Sequence, residues 1–232
     1  RRHLREAVRL RRDGPETQLG ISEGHLGLLE LTLGHYREAG RLFYSALKHT
    51  PPEEKALLAH RYECLGRYYL SLRSHSRAAE YFARAMAFAP NSDLQINLAL
   101  CRFRGGDPDG ALLMLRAMKG ELDDPLRRAS LLNLEATICQ ALKQTDLAEK
   151  LQQEAIELLT KTRGAAHPSL APLLANLGVL RFESGRVDEA ISPLEQAKDL
   201  LKDRIESHHQ SYVEILYYLA ACRPGKESIQ EA

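Results

Sequence analysis

Apolar and polar positions alternate with the spacing of amphipathic helices along nearly the whole chain. A longer period is superimposed on that spacing: a Leu followed by a small residue, then a turn, then two small or apolar positions seven residues apart. The first copy has Leu26-Gly27, Gly34, Ala39 and Ala46. The later copies are Leu65-Gly66 with Ala78 and Ala85, Leu98-Ala99 with Ala111 and Met118, Ala136 with Ala148 and Ala155, Leu177-Gly178 with Ala190 and Ala197, and a final Leu219-Ala220. The pattern predicts repeated pairs of helices.

The small residues have a physical explanation. A Gly or Ala in the first helix and small residues in the second let two antiparallel helices approach closely, while large apolar residues fill the grooves. Gly34, Gly106 and Gly185 mark the turn between the helices, where freedom at φ is needed. Pro51 and Pro90 end the second helices. Because one hairpin cannot bury its own apolar face, successive hairpins are predicted to stack.

This pattern resembles the tetratricopeptide repeat, a helix-turn-helix unit of 34 residues. The resemblance covers about residues 20–222 and implies an all-α fold, an α-α superhelix (solenoid) of stacked hairpins with about a dozen helices. The predicted repeats are residues 20–53, 59–91, 92–125, 129–162 and 171–204. Their intervals depart from 34, since Ala78 follows Ala39 by 39 residues and Ala190 follows Ala148 by 42. The longer interval is similar to the 42-residue repeats of kinesin light chains and of many bacterial regulatory proteins.

Both ends extend beyond the predicted array. Residues 1–19 are predicted to hold a basic helix with six arginines. Two interpretations stay open for it: a helix that docks on nucleic acid or on an acidic partner, or the second helix of a preceding repeat with a solvated arginine face. Residues 205–232 are expected to be a capping helix or half repeat and a tail, because Leu219 follows Leu177 by 42 residues. Since the first residue is not Met, the chain is expected to be part of a longer protein.

Composition and charge narrow the classes of partner. Aromatic residues make up only 6% of the chain and Trp is absent, so the predicted core consists of Leu and Ala. Lys and Arg (32) nearly balance Asp and Glu (31), giving a net charge of +1. No overall field therefore attracts nucleic acid or an anionic membrane. No apolar run approaches the 18 or so residues that cross a bilayer, so no membrane association is expected.

Cysteines and catalytic motifs indicate a reduced, non-enzymatic protein. Cys64, Cys101, Cys139 and Cys222 are far apart, without a CxxC pair or a zinc spacing. Each falls in a leucine-rich helical pattern, which favours buried free thiols and a cytoplasmic location. No phosphate-binding loop, nucleophile motif or metal-ligand cluster is present. Catalysis, a cofactor and a metal are therefore not expected.

Three asparagines immediately precede Leu98, Leu134 and Leu177, at the place where first helices face the concave groove of such an array. They are Asn97, Asn133 and Asn176. A carboxamide both donates and accepts hydrogen bonds, so it can pair with the backbone of a bound peptide whatever its side chains are. The resemblance implies this role for Asn97 and Asn176. Asn133 precedes its repeat alanine by 15 residues rather than 14, which predicts a position rotated by one residue. The alternative for all three is a bond to a neighbouring helix.

Other residues are placed in the groove by the same helical geometry. These are His60, Glu63, Arg67, Phe103, Arg104, Thr137, Gln140, Phe182, Glu183, Tyr217 and Tyr218. Aromatic and Arg side chains in a groove are typical energetic anchors. For Phe103 and Phe182 the alternative is packing against the turn of their own hairpin. Gly24, Glu63 and Leu100 stand where a clamp for a C-terminal carboxylate would need cations or polar donors, which disfavours a chaperone-tail receptor.

Three functional hypotheses follow. The first is a non-enzymatic module that binds a protein partner's peptide or helix in the concave groove. The second is the sensor or autoinhibitory domain of a multidomain bacterial regulator, such as a transcription factor or signalling ATPase. The third is a self-associating scaffold, a homo-oligomer formed through the C-terminal helix.

Overall fold

The computed structural model describes residues 1–118 and 122–222, and leaves undescribed the side chains of residues 204–210. Within these residues the chain forms α-helices and no strand. The helices are α1 (Arg2–Leu10), α2 (Glu16–Thr32), α3 (Tyr36–Lys48), α4 (Lys55–Ser71), α5 (His75–Phe88), α6 (Ser92–Arg104), α7 (Pro108–Met118), α8 (Pro125–Ala141), α9 (Thr145–Arg163), α10 (Leu170–Glu183), α11 (Val187–Leu201) and α12 (Ile205–Ala221), with a 3₁₀ turn at Lys202–Arg204. The predicted all-α class of helix-turn-helix repeats is confirmed. The predicted tail at residues 223–232 lies outside the described residues, and the repeat bounds stay a prediction.

The chain divides into two compact units, Arg1–Met114 and Leu115–Ala232. In the first unit, α2 packs against α3 and α4 against α5, and α1 packs against α2. In the second unit, α8 packs against α9, α10 against α11, and α12 against α11 and α10. Each unit is thus a set of antiparallel helical hairpins that cover one another.

The small residues of the first helices lie against large side chains of the second helices, as the pattern predicts. A Cβ on Gly66 would lie 2.6 Å from ring carbons of Phe82, and a Cβ on Gly178 would lie 2.5 Å from Cγ of Leu194. Phe82 and Leu194 are fully buried. Burial of such a side chain contributes about 1.5–3 kcal/mol. The close approach of the two helices therefore depends on glycine at these positions.

The turns within the hairpins share one backbone conformation. The predicted turn glycines Gly34, Gly106 and Gly185 all have positive φ (75°, 93° and 78°), which confirms their role. In the other two hairpins the same position, five residues before the repeat alanine, is Arg73 (φ 57°) or Lys143 (φ 59°). A left-handed conformation is unfavourable for a residue with a Cβ. The turn geometry is therefore dictated by hairpin packing even where the local sequence opposes it.

The predictions for the cysteines are also confirmed. All four are free thiols and all four are buried. Burial raises the pKa of the Cys101 thiol to about 11. All four side chains act as small apolar fillers, and the Cys101 thiol remains protonated at neutral pH.

The basic N-terminal helix α1 is attached to α2 by charge. Arg1 Nε lies 2.8 Å and Arg5 Nη2 lies 3.3 Å from Oε1 of Glu30, whose side chain is completely buried. Arg11 Nη1 donates a hydrogen bond to Ser22 Oγ at 2.6 Å. No residue of α1 is itself buried. Three of the six arginines therefore have partners on α2, and a fourth, Arg9, pairs with Glu6 within α1 at 3.0 Å.

Candidate ligand-binding groove

A cavity of about 570 Å³ in the second unit is the candidate binding site, and we call it the second-unit groove. One face of each of α8, α10 and α12 lines it. The lining residues follow helical spacing, so that each helix presents a single stripe. The stripes include Ala129 and Asn133 on α8, Pro172, Asn176 and Val179 on α10, and Glu214, Ile215 and Tyr218 on α12.

Asn133 and Asn176 meet in this groove and join a hydrogen-bonded network. Asn176 Nδ2 donates to Asn133 Oδ1 at 2.8 Å. Gln152 Nε2, from α9, donates to the same oxygen at 3.1 Å and to the backbone oxygen of Leu173 at 2.7 Å. Gln152 is buried, whereas the two asparagines are half-buried. The one-residue offset of Asn133 therefore does not turn it out of the groove.

The network leaves part of each carboxamide available to a ligand. Asn133 uses its oxygen and keeps both Nδ2–H donors, because its amide nitrogen forms no hydrogen bond with the described residues. Asn176 uses one Nδ2–H and keeps its Oδ1 acceptor and a second donor. The two asparagines thus form a hydrogen bond between neighbouring helices, which was the alternative to ligand binding. They still offer an adjacent donor and acceptor. A peptide backbone requires that combination.

The expected groove residues of the first unit form separate clusters. On α4, Arg67 Nη2 lies 2.6 Å from Glu63 Oε1, and His60 Nδ1 lies 3.9 Å from Glu63 Oε2. His60 Nε2 also lies 3.7 Å from the Cys64 sulfur, and these two contacts raise the pKa of His60 to about 9. The hydrogen bond from His60 lowers the pKa of Glu63, against the effect of burial. These charges largely satisfy one another.

On α6 the first unit presents three further expected residues. Asn97 is half-buried and forms no hydrogen bond with the residues that the structure describes. The Arg104 guanidinium carbon lies 5.9 Å from the ring centroid of Phe103, a cation-π contact. The amide of Asn97 therefore has its full bonding capacity available.

The remaining second-unit residues differ in their surroundings. Thr137 Oγ1 donates to the backbone oxygen of Asn133 at 2.9 Å, so its hydroxyl is used within α8. Gln140 Nε2 donates to Glu183 Oε2 at 2.6 Å, and both border a second cleft beside the hairpin turns. Phe182 contacts the ring of Tyr218 on α12 at 5.5 Å between centroids. Tyr218 lines the groove, and Tyr217 is 68% exposed.

The residue that sequence reasoning missed is Gln152. It lies four residues after its repeat alanine, where the other hairpins have Phe43, Phe82, Leu115 and Leu194. All four of those side chains are buried and apolar. A polar residue in an otherwise apolar register was thus a visible signal of a buried polar network.

Two further observations concern metals and membranes. Among the described residues, no group of three or more His, Cys, Asp or Glu side chains is arranged to hold a metal ion. In the same part of the chain, every helix is too short or too polar to cross a bilayer.

A family model matches one part of the chain. Residues 127–203 match the model described as tetratricopeptide repeat. The matched segment contains Asn133, Gln152 and Asn176, the three residues of the hydrogen-bonded network. No curated protein matches the chain.

Solved structures share the fold over most of the chain. A thermophilic tetratricopeptide protein from Thermus thermophilus is 22% identical, with 85% of this chain and 99% of that chain covered and a TM-score of 0.65. A Rap protein complexed with Competence and Sporulation Factor is 13% identical, with 89% of this chain but only 62% of that chain covered and a TM-score of 0.72. A putative kinesin light chain from Podosopora anserina, with nearly identical tetratricopeptide-like repeats, is 20% identical, with 83% and 99% covered and a TM-score of 0.57. At these identities the likeness shows the tetratricopeptide fold.

Proposed function

We propose that this protein is a non-enzymatic interaction module that binds an extended segment of a protein partner in the second-unit groove. The observation that carries the proposal is the Asn133–Asn176 pair, which presents an adjacent donor and acceptor inside a cavity of about 570 Å³. That volume lies within the range of pockets that enclose ligands. An extended peptide offers N–H and C=O groups along its length, so the pair can bind its backbone.

The groove walls supply the apolar part of the interaction. Ala129 on α8, Pro172 and Val179 on α10 and Ile215 on α12 line the cavity on either side of the asparagines. Small and aliphatic walls can accommodate side chains of several shapes through non-directional contacts. Backbone bonding at the asparagines would fix the register of the ligand, and the walls would select among its side chains.

We propose a second contact surface on the first unit. Asn97 has an uncommitted amide, and Phe103 with Arg104 forms an aromatic-cation pair on the same helix. On α4, His60, Glu63 and Arg67 form a charged cluster of mixed sign. This surface would select partner side chains by charge, and it would contribute less backbone bonding than the Asn133–Asn176 pair.

A random dodecapeptide display library tests the proposal directly. Peptides selected on the wild-type protein are synthesised, and their dissociation constants are measured by fluorescence anisotropy. Loss of the free donors and acceptor in an Asn133→Ala/Asn176→Ala variant removes two or three hydrogen bonds at about 1 kcal/mol each. We expect binding to weaken by about thirtyfold to 150-fold.

The matched control is Gln153→Ala, an exposed amide on α9 outside both proposed contact surfaces. Circular dichroism confirms that each variant is folded. Unchanged affinity in a folded double variant would contradict a backbone-binding role for the asparagines. An equal loss in the Gln153→Ala control would show that the effect is not specific to the groove.

The regulator hypothesis is the second candidate. The likeness to a Rap protein complexed with Competence and Sporulation Factor favours it, as does the 42-residue interval before Ala190. Under this proposal the chain senses a ligand within a longer regulator, and its C-terminal hairpins follow the kinesin-light-chain-like period. Sequencing the complete gene tests it: an adjoining DNA-binding or ATPase domain would support a regulator.

Self-association is the third candidate. Val213, Leu216 and Tyr217 are exposed on α12, with 49%, 42% and 68% of their surfaces accessible. A second copy could cover this face. Sedimentation over a range of concentrations tests the proposal, and a monomer at every concentration would rule it out.

We also propose a cytoplasmic location and no direct role in binding nucleic acid or membranes. Four free, buried thiols fit a reducing compartment. The nearly balanced charge lacks the excess of cations that phosphate backbones attract.

A further inference from the structure

Three aromatic rings meet around Tyr218, a lining residue of the second-unit groove. The rings of Phe182 and Tyr218 lie 5.5 Å apart between centroids at an interplanar angle of 73°. The rings of Tyr217 and Tyr218 lie 5.3 Å apart at 80°. We call these three residues the aromatic corner. Since Tyr218 lines the groove and Tyr217 is mostly exposed, ring surfaces are open to a ligand there.

Two carboxylates accompany the aromatic corner. Glu214, one turn before Tyr218 on α12, lines the groove itself. Glu183, next to Phe182 on α10, is held by the hydrogen bond from Gln140 Nε2. The pKa of Tyr218 is raised, by burial first and then by the charges of Glu183 and Glu214. Both negative charges therefore act on the phenol at the centre of the corner.

Among the described residues, no cation lines the second-unit groove beside Glu214. Glu214 is the only charged side chain among the described lining residues, and it forms no hydrogen bond or ion pair with the part of the chain that the structure describes. The two arginines nearest to Glu183 in the sequence are Arg181 on α10 and Arg186 in the following turn. Both form ion pairs with Glu149. The hydrogen-bond partner of Glu183 is a neutral amide, and Glu183 forms no ion pair with the described residues, although Lys143 and Arg186 border the same cleft.

We infer that the aromatic corner, with Glu183 and Glu214, is a subsite for a cationic side chain, the Lys or Arg of a segment bound in the second-unit groove. Aromatic faces attract an ammonium or guanidinium group within about 6 Å of their centroids. The two carboxylates add Coulomb attraction and repel an acidic side chain from the same place. The inference rests on the proposed function and extends it by naming the charge of the partner. An anionic or purely apolar residue gains neither interaction.

Small probes test the subsite without any peptide. Protein labelled with ¹³C at Tyr and Phe is titrated by NMR with the methylamides of Nα-acetyl-lysine, Nα-acetyl-norleucine and Nα-acetyl-glutamate. We expect the lysine probe to shift the Tyr217 and Tyr218 ring signals and to bind about fivefold more tightly than norleucine, since one cation-π contact is worth that much. The glutamate probe should bind most weakly.

Variants separate the charge effect from the ring effect. The Glu183→Gln/Glu214→Gln variant should bind the lysine probe more weakly and the norleucine probe with unchanged affinity. Tyr217→Leu should also lower the affinity for the lysine probe. Glu157→Gln, at an exposed position on α9, is the matched control and should change nothing. Equal affinity for lysine and norleucine, or no saturable shift with lysine, would overturn the inference.

The peptide library distinguishes failure of the subsite from failure of the proposed function. The subsite and the proposed function are both supported if the selected peptides share a Lys or Arg at one position and if this preference is lost in the Glu183→Gln/Glu214→Gln variant. Selected peptides that need Asn133 and Asn176 but carry no basic residue overturn the subsite and leave the proposed function standing. Lysine-probe binding with no effect of the asparagine changes supports the subsite and contradicts the backbone clamp.

Discussion

Replacing Gln152 separates the groove's hydrogen-bonded network from the packing of its hairpin. In the other four hairpins the equivalent position holds Phe43, Phe82, Leu115 or Leu194. A Gln152→Leu change therefore restores the apolar side chain that the repeat register favours. It also removes the bonds of Gln152 to Asn133 Oδ1 (3.1 Å) and to the Leu173 backbone oxygen (2.7 Å).

For Gln152→Leu, the loss of two hydrogen bonds and the gain from burying an apolar side chain have nearly equal and opposite effects on the free energy of unfolding. Two hydrogen bonds contribute about 1–3 kcal/mol together. Burial of leucine restores about 1.5–3 kcal/mol. Asn133 Oδ1 keeps the bond from Asn176, so it is not left unpaired. We expect the free energy of unfolding to change by less than about 1 kcal/mol. Gln152→Ala loses the same bonds without the apolar gain and leaves a cavity, so it should cost about 2–4 kcal/mol.

Ligand binding should respond differently from stability. Without Gln152, one of the two donors that orient the Asn133 carboxamide is lost, and its free donors are no longer held toward the groove. We expect Gln152→Leu to lower the affinity for a library-selected peptide by about fivefold to tenfold. Urea unfolding followed by circular dichroism gives the stabilities, and fluorescence anisotropy gives the affinities.

Gln153→Leu, an exposed neighbour on α9, is the control and should change neither quantity. A loss of stability in Gln152→Leu as large as in Gln152→Ala would refute the reasoning, because it would mean that acceptors were left buried and unpaired. A stable Gln152→Leu protein with unchanged peptide affinity would show that the network does not orient Asn133.

Two further predictions concern the first-helix contacts and turns. Arg73→Gly and Lys143→Gly should each stabilise the protein by about 0.5–1 kcal/mol in urea unfolding, because both residues have a positive φ; a loss of stability would show that their side chains contribute more than the strain costs. Burial opposes ionisation of Glu30, but hydrogen bonds from Arg1 and His35 outweigh it and lower its pKa. Its contribution to stability should therefore be present above pH ~4.5 and fall away as pH drops below it. Hydrogen exchange of α1 should rise over the same range, and a Glu30→Gln variant that still shows the pH effect would contradict this assignment.

Much of the fold was predictable because its determinants are local. Helical spacing, the small residues at Gly66 and Gly178 and the turn glycines each act within one hairpin of about 30–40 residues. The groove was less predictable. The 15-residue spacing of Asn133 predicted a position rotated by one residue, because register counted along the chain ignores how α8 and α10 turn against each other. The buried Gln152 broke the apolar register, but its partners could not be named without the packing.

The sequence by itself determined the pairing of helices, the places where they turn, the buried thiols and the residue types available for recognition, because helix periodicity and backbone preference are short-range properties. The tertiary structure decided which of those residues meet. Asn133, Gln152 and Asn176 converge from three helices, and Phe182 and Tyr218 from two, although they are separated by up to 43 residues in the chain. Such contacts depend on the rotation and approach of helices packed side by side. Those are set by the summed packing of many side chains, which no single stretch of sequence encodes.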